Sequence, residues 1–385
     1  MEASSWIRRM FEEGLSLKKK YGADRVFDFS LGNPIMEPPP EFKEALERVL
    51  RDSTPGMHRY MPNAGYTTTR AVVAEGLAAE TGLSFKDRHI LMCCGAGGGL
   101  NVILKTLLDP GEEVIFFSPF FPEYTHYVNN AGGTSVVVPT DSTFNLDLEA
   151  LEAALTERTK VVLYNSPNNP SGVVYPESTL HELGDLLDRH ERKHGRPAYL
   201  ISDDPYRKIV YENMVPMSVF RIRANAIQVY SHSKDLGLAG ERIGFVGISP
   251  EIEGGEEIAE GMTFCNRILG FINAPAMMQH LVRELQGVTV DIPAYQRKRD
   301  RLFGALTSMG YEVTKPEGAF YLFPKTLIDD DVEFVRRLQE HLVLAVPGSG
   351  FGTPGHMRLS YCVDDRTIEG ALPHFETVAR QFVGA

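Results

Sequence analysis

Ala226-Ile227-Gln228-Val229-Tyr230-Ser231-His232-Ser233-Lys234 is the stretch that decides the fold. Its first residues, rich in β-branched and aromatic side chains, read as a short buried strand that runs directly into two serines and a lysine. Two upstream segments repeat this pattern. Lys160 to Tyr164 leads into Asn165-Ser166-Pro167-Asn168-Asn169-Pro170-Ser171-Gly172, and Tyr199 to Ser202 leads into Asp203-Asp204-Pro205-Tyr206-Arg207. Four more apolar runs, at His89 to Cys93, Glu113 to Phe117, Ser135 to Val138 and Ile243 to Ile248, are separated from these and from one another by longer, mostly helix-length stretches. Such alternation indicates an α/β fold with a mostly parallel, seven-stranded sheet flanked by helices. Parallel sheets place ligands at the carboxyl ends of their strands, so the three polar segments are expected to converge on one site.

Outward from this core, Pro38 to Pro40 after Gly32-Asn33-Pro34 marks a stiff connector near residue 40. Downstream, Ile272 through Met309 reads as long and helical despite Pro275 and Pro293, and a strand and helix set runs from Tyr311 to Ala385. The expected organisation is a large domain at residues 41–275 and a smaller α+β domain made of residues 1–40 and 276–385. Met1 to Tyr21 reads as an amphipathic packing helix with Trp6, Ile7, Met10, Phe11 and Leu15 near one face. Its scattered charges do not fit a signal peptide, and no later stretch has the length of a membrane span.

Composition narrows the function classes. A chain of 385 residues with 43% hydrophobic content can bury the cores of two domains. A net charge of −12 disfavours a phosphate backbone as partner, so no nucleic acid is expected. Cys93, Cys94, Cys265 and Cys362 form neither a CxxC pair nor a spaced Cys/His set, which points away from zinc and disulfides and toward a reducing cytoplasm.

Each loaded segment has a plain reading and a chemical one. Gly95-Ala96-Gly97-Gly98-Gly99-Leu100 follows a strand and opens a helix, which is either a flexible turn or a set of backbone N–H groups turned toward a phosphate. Leu100 replaces the third glycine of a dinucleotide motif, and no Gly-Lys-Ser/Thr ending is present, so a monophosphate suits it better. Asn168 to Gly172 is either a turn or a rigid loop presenting a neutral donor. Asp203 either caps a helix or pairs with Arg207, or it is a buried carboxylate awaiting a cation such as a protonated ring nitrogen. Lys234, followed eight residues on by Arg242, is either a solvated charge or an amine whose pKa is lowered by burial and a neighbouring cation. Arg358, among alternating apolar residues, either makes a structural salt bridge or offers its fork to a substrate carboxylate. No HExxH and no G-x-S-x-G pattern occurs, so metal and serine-hydrolase chemistry lose support.

These residues, in this order and spacing, resemble the fold-type I pyridoxal-phosphate enzymes of the class I and II aminotransferase family over essentially the whole chain. The resemblance implies a pyridoxal-phosphate-dependent transferase fold, pyridoxal 5′-phosphate as cofactor and Lys234 as its Schiff-base lysine. By the same resemblance Asp203 holds the pyridine nitrogen protonated, Asn169 and Tyr206 contact the ring oxygen, and Phe121 stacks on the ring. Ser231, Arg242 and the backbone of Ala96 and Gly97 bind the phosphate, and Tyr60 reaches the phosphate of a neighbouring subunit in a homodimer. Gly32 and Arg358, with Asn169, lie on the substrate side. The implied reaction is ping-pong transfer of an α-amino group from an L-amino acid to a 2-oxo acid, 2-oxoglutarate by family analogy. A carbon-sulfur β-lyase shares the ring-binding set and is the alternative; a pyridoxal-phosphate-binding regulator and a nucleotide-binding α/β protein have less support.

Overall fold

The computed structural model of the protein describes residues 6–51 and 55–382. Met1 to Ser5, Ala385 and the two residues before it lie outside the described residues, as does the side chain of Ile7. The strands are β1 (Phe27–Asp28), β2 (Ile90–Cys93), β3 (Glu113–Ser118), β4 (Thr134–Pro139), β5 (Thr159–Tyr164), β6 (Tyr199–Asp203), β7 (Ala226–Ser231), β8 (Gly244–Ile248), β9 (Tyr321–Leu322), β10 (Val343–Leu344), β11 (Val346–Pro347) and β12 (Met357–Ser360).

Strands β2 to β8 form one seven-stranded sheet in the order β2-β8-β7-β6-β5-β3-β4. Neighbours are parallel except at β8, which runs antiparallel to both β2 and β7. Every residue of β2, β6, β7 and β8 is buried, whereas edge strand β4 is largely open. Continuous burial is what a parallel sheet covered by helices on both faces requires, and it explains why these strands read as near-continuous apolar runs. Strand alternation divides the packing between two faces: Met92, Ile115, Val162, Leu200 and Tyr230 join one core, and Leu91, Val114, Val161, Ile201 and Val229 the other. Outside the large sheet, β11-β12-β9 form an antiparallel sheet and β1 pairs with β10 in parallel.

Two local expectations are corrected. The segment from Ile272 to Met309 holds two helices, Ala276–Glu284 and Ile292–Ser308. Pro275 stands at the N-cap of the first and Pro293 in the opening turn of the second, where a missing N–H is harmless; each proline starts a helix instead of interrupting one. The N-terminal helix Trp6–Tyr21 turns Met10 and Gly14 inward, with Trp6 and Leu17 partly covered, but Phe11 and Leu15 are exposed. Positions 6, 10, 14 and 17 share a face at 3.6 residues per turn, and 11 and 15 lie beside it.

Candidate active site

The carboxyl ends of β5, β6 and β7 open on one cavity of about 280 Å³. Gly32, Ala96, Gly97, Phe121, Asn169, Asp203, Tyr206, Ser231, Lys234, Arg242 and Arg358 all border it, so eleven of the twelve positions expected from the sequence meet. The twelfth, Tyr60, is 89% exposed and does not border the cavity of its own chain.

Lys234 lies in the short helical turn His232–Asp235 directly after β7. Its Nζ donates to the Gly32 carbonyl at 2.7 Å and sits 5.6 Å over the Phe320 ring. Burial lowers its pKa to about 8, with Arg358 and Arg242 acting in the same sense and Cys362 opposing them. A lysine in this state supplies free amine near neutral pH.

Asp203 ends β6 and is 5% exposed. Its Oδ2 accepts from Tyr124 Oη at 2.6 Å, while Oδ1 is buried without a hydrogen-bond partner among the described residues. Burial pushes its carboxyl up to about 7; the Tyr124 bond opposes this and Asp204 adds to it. The expected alternative of an Asp203–Arg207 pair is not what forms. Asp204 faces Arg207 at 3.6 Å and also accepts from Ser202 Oγ and from Gln228 Nε2 at 2.6 Å, because successive strand-end side chains point to opposite sides. Asp203 is thereby left as an uncompensated buried acceptor, the kind of group a ligand cation stabilises.

The polar loop after β5 is held by its own amides. Asn165 donates to the Asp203 carbonyl at 2.6 Å and accepts from the Asn169 N–H at 2.7 Å, and Asn168 accepts from Ser171 at 3.0 and 2.9 Å. Asn168 thus serves the turn and Asn169 the cavity. Asn169 Oδ1 accepts from Arg358 Nη1 at 3.1 Å, and Arg358 Nη2 donates to the Ser30 carbonyl at 2.6 Å. The Arg358 guanidinium lies 4.7 Å from both the Tyr321 and Phe351 rings, it is 2% exposed, and its Nε is buried without a partner among the described residues. Among the described residues it forms no ion pair, so the salt-bridge reading gives way to a fork held flat with donor capacity to spare.

At the opposite end, the helix Gly95–Leu107 starts at Cys94, which offers no side-chain cap to its first N–H groups. A Cβ on Gly95 (φ +70°) would meet Arg242 Nη2 at 2.8 Å, so this glycine both permits the turn and lets the guanidinium lie against the helix start. Ser231 accepts from the Ser233 N–H, and their hydroxyls are 2.7 Å apart. Uncapped N–H groups, two hydroxyls and an arginine make an anion cradle. Among the described residues no three His, Cys, Asp or Glu side chains could hold a metal ion, and no helix is long and apolar enough to cross a membrane.

Several bordering residues carried no signal in sequence. Tyr124, which lies behind the cavity wall and not on it, was hidden because its role depends on the helix Glu123–Ala131 returning its hydroxyl to Asp203. Tyr321, on β9, bonds Tyr206 Oη at 2.8 Å from more than a hundred residues away. Glu123, Tyr127, Asn165 and Ser233 also border the cavity. Of these only Asn165 and Ser233 lay inside a motif already singled out.

Residues 24–375 match the family model for aminotransferase class I and II. The aspartate/prephenate aminotransferase of Thermus thermophilus is 33% identical over 369 residues, covering 94% of this chain and 92% of that one. An amino transferase from Eubacterium rectale superposes with a TM-score of 0.96 at 39% identity over 99% of this chain and 97% of the other. The aspartate aminotransferase of Thermus thermophilus with maleate gives 0.87 at 30% identity, over 98% and 97%. With a family match across most of its length and these relatives, the chain belongs to the class I and II aminotransferases, enzymes that use pyridoxal 5′-phosphate.

Proposed function

We propose that this aminotransferase moves an α-amino group from an L-amino acid to a 2-oxo acid in two half-reactions of a ping-pong cycle, with Lys234 as the exchanging amine. The convergence of a low-pKa lysine, an unpartnered buried carboxylate and an uncapped helix start around one cavity carries this reading. The donor set fits the cofactor. Asp203 Oδ1 suits a protonated ring nitrogen, Asn169 and Tyr206 a ring oxygen, Phe121 the ring face, and Arg242, Ser231, Ala96 and Gly97 a phosphate. When bound, pyridoxal phosphate supplies an electron sink for the bonds at the substrate α-carbon.

The chain's own groups do the rest. Arg358 holds the substrate α-carboxylate with its fork, and its stacking between Tyr321 and Phe351 fixes that fork's plane. Lys234 Nζ removes the α-proton and returns it, a task that its pKa of about 8 makes possible near neutral pH. Tyr124 holds Asp203 by its Oδ2 and leaves Oδ1 to the ligand.

The remaining parts of the proposal concern assembly. Residues 41–275 form the large domain; residues 1–40 and 276–385 form a smaller one that brings Gly32, Tyr321 and Arg358 to the cavity and closes over the substrate. A homodimer places Tyr60 at the neighbouring subunit's phosphate site, a reading supported by the exposure of Tyr60 and of Phe264, Ile268 and Leu269. The enzyme acts in the cytoplasm. Aspartate, named in the Thermus relatives, is the first donor to test, and 2-oxoglutarate the first acceptor. Single additions of a panel of L-amino acids to the cofactor-loaded protein without any oxo acid should form one oxo acid per site and then stop. Continued release of pyruvate, ammonia and thiol from cysteine or cystathionine would replace this reading with the β-lyase.

A further inference from the structure

Among the described residues five charged side chains border the cavity: Lys234, Arg242 and Arg358 are basic, Asp203 and Glu123 acidic. The proposed chemistry occupies four of them and leaves Glu123 without a task. Glu123 opens the helix Glu123–Ala131, and its neighbour Tyr124 is tied to Asp203, so its place on the wall of the cavity that Arg358 also borders is fixed. Its Oε2 is buried with no hydrogen-bond partner, and it forms no ion pair among the described residues. Burial raises its pKa, opposed by its own backbone N–H, by Arg358 and by His126; it in turn acts on Tyr127 and Tyr321, which border the same cavity. A buried acceptor without a donor is unfavourable until a ligand supplies one.

We propose that Glu123 reads the substrate's side chain, favouring amino acids and oxo acids whose side chain carries a hydrogen-bond donor (an amide, hydroxyl or amine) and disfavouring those with a second carboxylate. The inference rests on the proposed transamination, in which Arg358 is taken by the α-carboxylate. Among the described residues no further cation borders the cavity to meet a second carboxylate, which would be brought toward a like charge. Asparagine then ranks above aspartate and glutamine above glutamate. 2-Oxoglutarate falls in the disfavoured class, so its half-reaction speeds up when the Glu123 charge is removed. If Glu123 only offsets the charge of Arg358, its substitution will change all substrates alike.

The test measures binding of maleate and of its monoamide by calorimetry, and the aspartate and asparagine half-reactions, in the cofactor-loaded wild type and in Glu123→Gln. The wild type should prefer the monoamide to maleate, and asparagine to aspartate, by at least about tenfold. Glu123→Gln should shrink both ratios to about threefold or less, mainly by gain on the dicarboxylate. Equal binding of maleate and monoamide by the wild type, or ratios that persist in the variant, would overturn the proposal. A general loss of affinity cancels in a ratio, and if Glu123→Gln fails to fold, the wild-type ratio decides alone. Absence of amino transfer from every donor would instead refute the proposed function, while the calorimetric ratio would still report on Glu123.

Discussion

Replacing Asp203 by Asn should make the cofactor-free protein gain stability, relative to the wild type, as the pH rises. Asp203 is 5% exposed, with one oxygen bonded to Tyr124 and the other unpartnered, and burial moves its carboxyl from 3.8 to about 7. Between those values the unfolded chain has released the proton and the folded chain still holds it. The unfolded state therefore binds fewer protons, and the unfolding free energy falls with increasing pH. The penalty is absent below about pH 4 and complete above about pH 7; at 1.36 kcal/mol per pH unit it amounts to about 4 kcal/mol. Asparagine cannot ionise, yet it keeps an oxygen for Tyr124. Guanidinium denaturation of both cofactor-free proteins should show the difference in unfolding free energy moving in the variant's favour by roughly 2–3 kcal/mol from pH 5 to pH 8. Pyridoxal phosphate, by giving the carboxylate a cationic partner, should remove that slope from the wild type. A difference constant to within about 0.5 kcal/mol over this range would refute the picture of Asp203 as a buried carboxylate awaiting a cation.

Three further outcomes follow from the same geometry. Capture of added pyridoxal phosphate by the cofactor-free protein, followed in stopped flow, should accelerate up to about pH 8 and then level off, because free Lys234 amine is plentiful above its lowered pKa; a rate still climbing toward pH 10 would contradict this. Arg358→Gln should raise KM for amino acid and oxo acid by roughly 10–100-fold while cofactor affinity changes far less, since it removes the charge-assisted hydrogen bonds to the α-carboxylate, and the bond to Asn169, but leaves the phosphate cradle and Asp203 in place; Arg358→Lys, lacking the planar fork, should recover only part. Gly32→Ala should lower thermal stability by about 1–3 kcal/mol and disturb the cavity, because the added Cβ overlaps Tyr321 Oη and displaces the Tyr206–Tyr321 bond. An unchanged melting curve for that variant would mean that Tyr321 gives way freely.

The large sheet was legible because burial on both faces of every strand but the open edge strand β4 leaves little room for ambiguity: the seven apolar runs coincide with β2 to β8 to within a residue or two. Topology then turns three separate motifs into one site, since strand ends that neighbour in the sheet are neighbours in space. What stayed hidden depends on angles and distances that spacing does not encode. Asp203 and Asp204 are adjacent and chemically identical, and only the pleat decides which faces the cavity and which takes Arg207. Tyr124 and Glu123 belong to one helical turn, and Tyr321 comes from another sheet altogether. The broken helix between Ile272 and Met309 was misread because the apolar spacing continues across the connection, while Pro275 and Pro293 mark helix starts.

The central claim is that Lys234 carries the cofactor. Reducing the yellow, pyridoxal-phosphate-loaded protein with borohydride and mapping its peptides by mass spectrometry tests it directly. The reduced cofactor should be found on the peptide containing Lys234 and nowhere else in stoichiometric amount. Label on another lysine, such as Lys105 or Lys208, with Lys234 unmodified, would contradict the account.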